Sequence, residues 1–216
     1  MKKKIIFVVF VMLCLACIIF SGFFIVHNYE SDKYMLKNIH NEYISNDETV
    51  VAVVNDAIIT SQELCLVKYS YQVNNALEQA VEQKAIVQLA EVDGFSLSQS
   101  DINNEIDYIN EQYEKLNLPD NEDNNAFYDN LIKEHLDMTI SIKYKYYIQK
   151  QIMRQNFNST NEAINEKYEE YKIIYKEWED GDKEDSLLYE KIWSLREEIA
   201  EDYIQYRIKE LDIVIY

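Results

Sequence analysis

Glycine and proline are scarce in this chain, whose 216 residues include 3 Gly and 1 Pro. Sandwiches and barrels need these residue types for their many tight turns, so the shortage argues against an all-β fold and favours helices joined by polar turns. Cysteine is scarce as well. Cys14 and Cys17 lie within an apolar run and Cys65 stands alone, so we expect no disulfide in the rest of the chain.

The motifs of familiar active sites are missing from the sequence. It contains no Gly-rich phosphate loop, no Gly-x-Ser-x-Gly elbow and no His-Glu-x-x-His zinc motif. His27, His40 and His135 are scattered, and adjacent carboxylates such as Glu169 and Glu170 are common on the solvated helices of an acidic protein. We therefore expect that the protein is not an enzyme and has no catalytic residue, metal site or cofactor.

Basic residues are outnumbered: 21 Lys and Arg stand against 39 Asp and Glu, for a formal net charge of -18. Such a field repels polyphosphate, which argues against nucleic acid as a partner. Two interpretations of the acidity remain open. It is typical of a surface adapted for solubility, and it also favours attraction to basic or unfolded polypeptides.

An apolar segment, residues 5–26, predicts a transmembrane helix. It carries no charge, and at about 1.5 Å per residue it spans roughly 33 Å, slightly more than the hydrocarbon core of a bilayer. Three lysines precede it, so residues 1–4 are predicted to be cytoplasmic and the C-terminal part to lie outside the cell membrane. A polar stalk, residues 27–49, is expected to follow.

Two other interpretations of the apolar segment stay open. A cleaved secretory signal has a shorter apolar region that ends in small residues, whereas Ser21 and Gly22 are the only small residues near its end. A lipoprotein modified at Cys17 usually has Leu three residues earlier, where this chain has Cys14. We therefore prefer the retained, single-pass helix.

Residues 50–116 predict a small β-hairpin followed by helices. Two β-branched runs flank Asn55 and Asp56, a pair that tolerates the positive φ of a two-residue turn. Thr60 and Glu63 match a capping box, so a helix is expected to begin there. Gly94 predicts a left-handed helix end, and a new helix is expected to begin near Ser98.

The second half of the chain predicts more helices and a closing strand. A helical region is expected over residues 123–157, with a break near 137–139. A capping box at Ser159 to Glu162 and heptad-like apolar spacing predict an antiparallel helical hairpin over residues 160–206. The β-branched residues of 211–216 are expected to add a strand to the early hairpin. Residues 50–216 are therefore predicted to form one mainly α domain.

Several of these segments resemble the SurA and PrsA chaperones. The segment 51–64 resembles the opening of that family, a hairpin followed by a Thr-x-x-Glu helix, and 76–98 looks like its second helix and glycine stop. The segment 203–216 is similar to its closing helix and strand. Relatives often carry a parvulin-type prolyl isomerase between these ends, but the interval 158–202 is too short for one and contains no His.

The resemblance implies a SurA-like chaperone domain without prolyl isomerase activity. We expect a membrane-anchored, extracytoplasmic holdase that binds unfolded or newly exported polypeptides without ATP. The alternative is a dedicated structural or assembly subunit that binds one membrane or cell-wall partner through the hairpin of residues 160–206. The oligomeric state is left open.

Tyrosine is abundant, with 18 residues, and its ring combines a large contact surface with a polar tip. Such residues suit a cleft that binds many segments. The candidate client-binding residues are Tyr113, Tyr144, Tyr147 and Tyr171. The competing interpretation is that such tyrosines pack the helical core, as their stripe positions indicate.

Overall fold

The computed structural model describes residues 33–181 and 186–216. Its described elements are α1 (33–45), β1 (Val50–Val54), β2 (Ala57–Thr60), α2 (Ser61–Tyr71), α3 (Ala76–Val92), α4 (Gln99–Glu114), α5 (Glu122–Met153), α6 (Glu162–Asp180), α7 (Ser186–Ile208) and β3 (Ile213–Ile215). The predicted mainly α domain with a small sheet is confirmed.

The predicted membrane anchor lies outside the described residues. This holds for the tail at 1–4, the span at 5–26 and the first part of the stalk. Across 33–181 and 186–216, none of the helices combines the length and the apolar character needed to cross a bilayer.

The sheet joins the early hairpin to the C-terminal segment. Strands β1 and β2 form the predicted antiparallel hairpin, and Asn55 in its turn has a φ of 48°. Strand β3 then pairs antiparallel with β1, with Ala52 opposite Ile215 and Val54 opposite Ile213. The strand order is therefore β2-β1-β3, as the β-branched C-terminal segment predicted.

The predicted helix boundaries in the first half are confirmed. Thr60 and Glu63 form a complete capping box at the start of α2, and Ser98 forms another with Asp101 at the start of α4. Helix α3 ends just before Gly94, whose φ of 69° is the left-handed conformation that glycine adopts without strain. Each of these helix-boundary signals depends only on residues close together in the chain, so it can be recognised from the sequence.

Two predictions about the later helices are wrong in detail. Helix α5 runs without the expected break at 137–139, because it contains neither Gly nor Pro and Asp137 there forms an ion pair with Lys84 at 3.3 Å. The cap of α6 is Asn161, whose side chain accepts a hydrogen bond from the amide of Ile164 at 3.3 Å. Ser159 instead accepts from the amide of Asn161.

The prediction of a stalk is wrong for residues 33–45. Helix α1 buries Leu36, Ile39 and Tyr43 in a hydrophobic cluster that also contains Phe127 and Leu131 of α5. Asn130 donates a hydrogen bond to the Tyr43 hydroxyl at 2.7 Å. This part of the chain is therefore packed within the domain.

Helix α5 passes through both of the larger hydrophobic clusters. Its first half packs with α1, α2 and α4, where Phe127 is fully buried. Its second half packs with α3, α6 and α7, where Tyr144 and Tyr171 are fully buried. A smaller cluster lies between the sheet and helices α2 and α3. The hairpin of α6 and α7, predicted over 160–206, thus packs on the C-terminal half of α5.

Candidate functional site

The four predicted tyrosines do not form one surface. Tyr144 is fully buried and donates its hydroxyl hydrogen bond to Asp93 at 2.5 Å, so no part of this ring is exposed to a client. Burial raises the pKa of Tyr144, and the hydrogen bond to Asp93 raises it further. Tyr147 is half-buried, with its ring centre 6.0 Å from that of Tyr144 and 5.4 Å from that of Phe95.

Tyr113 lies in the other half of the domain. It is half-buried, packs on Phe127 and Tyr128, and donates a hydrogen bond to the carbonyl of Asn124 at 3.0 Å. These partners are 16 to 20 positions from Tyr144 along α5, or roughly 24–30 Å at 1.5 Å per residue. Tyr113 and Tyr144 therefore cannot bind one short segment together.

Tyr171 is fully buried, but it lies at the floor of an open groove. The groove has a volume of about 480 Å³ and lies between the C-terminal half of α5 and the hairpin of α6 and α7. Its aromatic lining comprises Tyr146 from α5, Tyr171, Tyr175 and Trp178 from α6, and Tyr189 and Trp193 from α7. We call this feature the aromatic groove.

The rings of α6 and α7 form a continuous row along the aromatic groove. From Tyr168 through Tyr171, Tyr175, Trp178 and Tyr189 to Trp193, successive ring centres are 5.8 to 6.3 Å apart. Residues three and four apart share one face of a helix, so the heptad-like spacing of α6 aligns its rings. The neighbouring rings fix one another and give the groove a firm wall.

Three rings of the aromatic groove are open to solvent. Tyr146 is 62% exposed, Tyr189 48% and Trp193 44%. Single exposed apolar residues are normal on protein surfaces, but a contiguous group that lines a concavity is typical of a binding site. Their sequence spacing did not single them out as a site.

The floor of the aromatic groove contains a buried arginine. Arg196 of α7 is 6% exposed, and its guanidinium carbon lies 3.7 Å from the centre of the Trp193 ring. One terminal nitrogen donates to the sulfur of Met153, while the buried Nε has no hydrogen-bond partner among the residues that the structure describes. Burial lowers the pKa of Arg196, although guanidinium groups stay charged at physiological pH.

Two neutral polar groups accompany Arg196. The Tyr171 hydroxyl is buried without a hydrogen-bond partner, and burial raises the pKa of Tyr171 to about 12, so it remains a donor. The Gln149 amide is 6% exposed and makes no side-chain hydrogen bond within the described residues. The floor thus offers two buried donors, the Arg196 Nε and the Tyr171 hydroxyl, that have no acceptor among the described residues.

The charge of the aromatic groove differs from that of the chain. Among the described residues, Lys150 and Arg196 contribute to its lining and no carboxylate does, although the whole chain carries -18. Neither cation forms an ion pair with any residue in the described parts of the chain. The described lining of the groove is therefore aromatic and carries two cations, in an acidic protein.

A cluster of carboxylates around Lys84 is the other notable group. Lys84 lies 3.3 Å from both Glu63 and Asp137, and burial raises the pKa of the neighbouring Glu134 to about 8. The cavity beside Glu134 measures about 10 Å³, room for no more than one water molecule. This cluster links α2, α3 and α5. Across the described residues, no three metal-binding side chains converge on one point.

The chain matches no protein-family model, no curated protein and no solved structure. The resemblance to the SurA and PrsA chaperones therefore stays a prediction from the sequence.

Proposed function

We propose that this protein is a membrane-anchored, extracytoplasmic chaperone that holds apolar segments of unfolded or newly exported polypeptides in its aromatic groove. It acts without ATP and without prolyl isomerase activity. The observation that carries the proposal is the group of solvent-open rings, Tyr146, Tyr189 and Trp193, on a firm frame of three helices.

The shape of the groove supports transient binding of unfolded segments. Each large aromatic side chain offers roughly 150–250 Å² of contact surface, and its geometry accepts many apolar partners. Tyr189 and Trp193 pack against neighbouring rings, which reduces the side-chain entropy lost when a segment binds. The groove is open along the surface, which suits an extended chain.

The topology also supports this assignment. Strand β3 returns to pair with β1, so the C-terminal segment closes the domain against the early hairpin. The resemblance of residues 51–64 and 203–216 to the SurA and PrsA family predicted this closure. The helical hairpin of α6 and α7 occupies the interval in which relatives often carry an isomerase.

Suppression of aggregation tests the proposal directly. The full-length chain, held in lipid nanodiscs, is added in several-fold excess to a reduced model protein, and light scattering is followed. The groove variant Tyr146→Ala/Tyr189→Ala should lose most of the effect. The matched control is Tyr34→Ala/Tyr216→Ala, because those rings are 70% and 78% exposed and lie outside the groove. No suppression by the wild-type chain, or equal loss in both variants, would contradict the proposal.

A second candidate is a dedicated assembly subunit with one membrane or cell-wall partner. It is favoured by the buried, unpaired Arg196, since a fixed charge in a groove discriminates among partners more than an apolar wall does. Photo-crosslinkers at Tyr146 and Tyr189 in living cells separate the two. Many exported proteins would be captured by a holdase, and one dominant protein by an assembly subunit.

A further inference from the structure

Arg196 is an unusual residue for the floor of an apolar groove. Within the described residues no carboxylate forms an ion pair with Arg196, whose guanidinium contacts the Trp193 ring and the Met153 sulfur. The adjacent Glu197 acts on it electrostatically but is paired with Lys145 at 3.7 Å. A buried charge without a counter-ion destabilises a folded protein, so packing alone does not account for it. A ligand that brings the missing negative charge would remove that cost.

The donors at the floor fit a carboxylate. A carboxylate accepts hydrogen bonds through two oxygens and donates none, and arginine binds it with a fork of parallel N–H groups. The Tyr171 hydroxyl and the Gln149 amide add neutral donors beside Arg196. Charge-assisted hydrogen bonds are stronger at buried sites, and Arg196 is 6% exposed.

The charge of the chain selects among anions. With a formal net charge of -18, the protein repels multiply charged groups such as phosphates more strongly than it repels a single carboxylate. Beyond about 10 Å that field is screened by salt, whereas the contact with Arg196 is not. A singly charged group attached to an apolar body is therefore the best match.

We propose that the aromatic groove binds the C-terminus of a client polypeptide, with the terminal carboxylate on Arg196 and the last apolar or aromatic side chains against Trp193 and Tyr189. This inference rests on the proposed chaperone function and adds the chemistry of the bound segment. Because Arg196 lies beneath the rings, a carboxylate must reach it at the end of the segment that enters. An internal carboxylate could reach Arg196 only if the chain turned and left the groove again, whereas a C-terminal carboxylate requires no such turn.

The test compares two labelled hexapeptides that end in two aromatic residues and differ only at the terminus, a free acid and an amide. Binding to the full-length chain in nanodiscs is measured by fluorescence anisotropy. The free acid should bind about tenfold more tightly or better, which is the usual contribution of a hydrogen-bonded charge. A third peptide, amidated and carrying an internal Glu, should bind like the amide.

The variant Arg196→Met should abolish the preference for the free acid, so that the acid and the amide peptide bind with equal affinity. The matched control is Lys191→Met, which removes a cation from the same helix outside the groove; Lys191 is exposed and lies 3.1 Å from Glu170. This control should keep the preference. Without peptide, Arg196→Met should unfold at the same or a higher temperature than the wild type, because it removes a buried charge.

Four outcomes would overturn the inference. If the acid and the amide bound equally, and both were lost in Tyr146→Ala/Tyr189→Ala, the groove would bind client segments without recognising the terminal carboxylate. Tight binding of the internal-Glu peptide would show that a terminus is not required. Binding of dodecanoate but of no peptide would make the groove a lipid site and would also remove the proposed chaperone function. A lower unfolding temperature in Arg196→Met, with both peptides lost, would mark Arg196 as structural.

Discussion

The side chain of Asn55 holds the C-terminal strand against the hairpin turn: its Oδ1 accepts a hydrogen bond from the amide of Asp212 at 2.9 Å. The main chains of the two residues are joined as well, with the Asn55 amide donating to the Asp212 carbonyl at 2.6 Å. The Asn55 Nδ2 donates to Gln88 at 2.7 Å. One residue thus sets the turn and fastens the far end of the domain to it.

Two substitutions at Asn55 separate these roles. Asn55→Gly keeps the positive φ but removes both side-chain hydrogen bonds, and should lower the free energy of unfolding by about 1–2 kcal/mol. Asn55→Ala adds the left-handed penalty of a β-carbon and should cost roughly a further 1 kcal/mol. Urea denaturation measures both. The exposed neighbour Asp56 serves as control, since Asp56→Ala should change stability by no more than about 0.5 kcal/mol.

The fold was largely predictable because its signals are local. Asn55, Thr60 with Glu63, and Gly94 each specify a turn or a helix end through their own backbone chemistry, and the structure has all three. The break expected near Thr139 was wrong because an ion pair with α3 and burial support the helix there, and neither is visible in a local window. The stalk was wrong because burial of Leu36 depends on α5, about 90 residues later.

The groove was harder to predict than the fold. Its walls come from positions between 146 and 196, and the open rings of Tyr146 and Tyr189 look no different in sequence from the buried ring of Tyr144. One signal was available. The helix neighbours of Arg196 at three and four positions on either side are all apolar, namely Ile192, Trp193, Ile199 and Ala200, which places this cation on the buried face.

Removing the hydroxyl should have opposite effects at two buried tyrosines. Tyr144→Phe loses a hydrogen bond to a carboxylate and should cost about 1.5–3 kcal/mol. Tyr171→Phe removes a buried hydroxyl that has no partner, so stability should stay the same or rise. Thermal and urea unfolding measure both, and Tyr146→Phe on the exposed ring should be neutral. A large loss at Tyr171 would mean that its hydroxyl is satisfied in the folded protein.

The packing of α1 predicts that Leu36 contributes to the core. Leu36 is 1% exposed, so Leu36→Ala should lower the free energy of unfolding by about 2–5 kcal/mol. Tyr34, in the same helix, is largely exposed, and Tyr34→Ala should cost little. Urea denaturation compares them. If Leu36→Ala were as mild as Tyr34→Ala, α1 would behave as a stalk after all.

Glu134 should make stability fall as pH rises from about 5 to 8. Its folded-state pKa, about 8 because of burial, lies above the ordinary value of 4.5, so between these values the unfolded chain releases a proton that the folded protein keeps. The slope is at most about 1.4 kcal/mol per pH unit. The neutral Glu134 side chain contributes its full stabilisation at pH values below the pKa of the unfolded state. This contribution is lost as the pH rises past the pKa of the folded state.

Glu134→Gln isolates this effect. The free energy of unfolding of the variant, relative to the wild type, should increase between pH 5 and pH 8, because the substituted amide has no acidic proton to lose. Burial lowers the pKa of His135, so this residue makes the free energy of unfolding rise with pH. Its contribution is the same in wild type and variant, and the difference between the two cancels it. Asp129→Asn, on an exposed position of the same helix, should show no such trend. A difference independent of pH would mean that Glu134 titrates near its ordinary value in the folded protein.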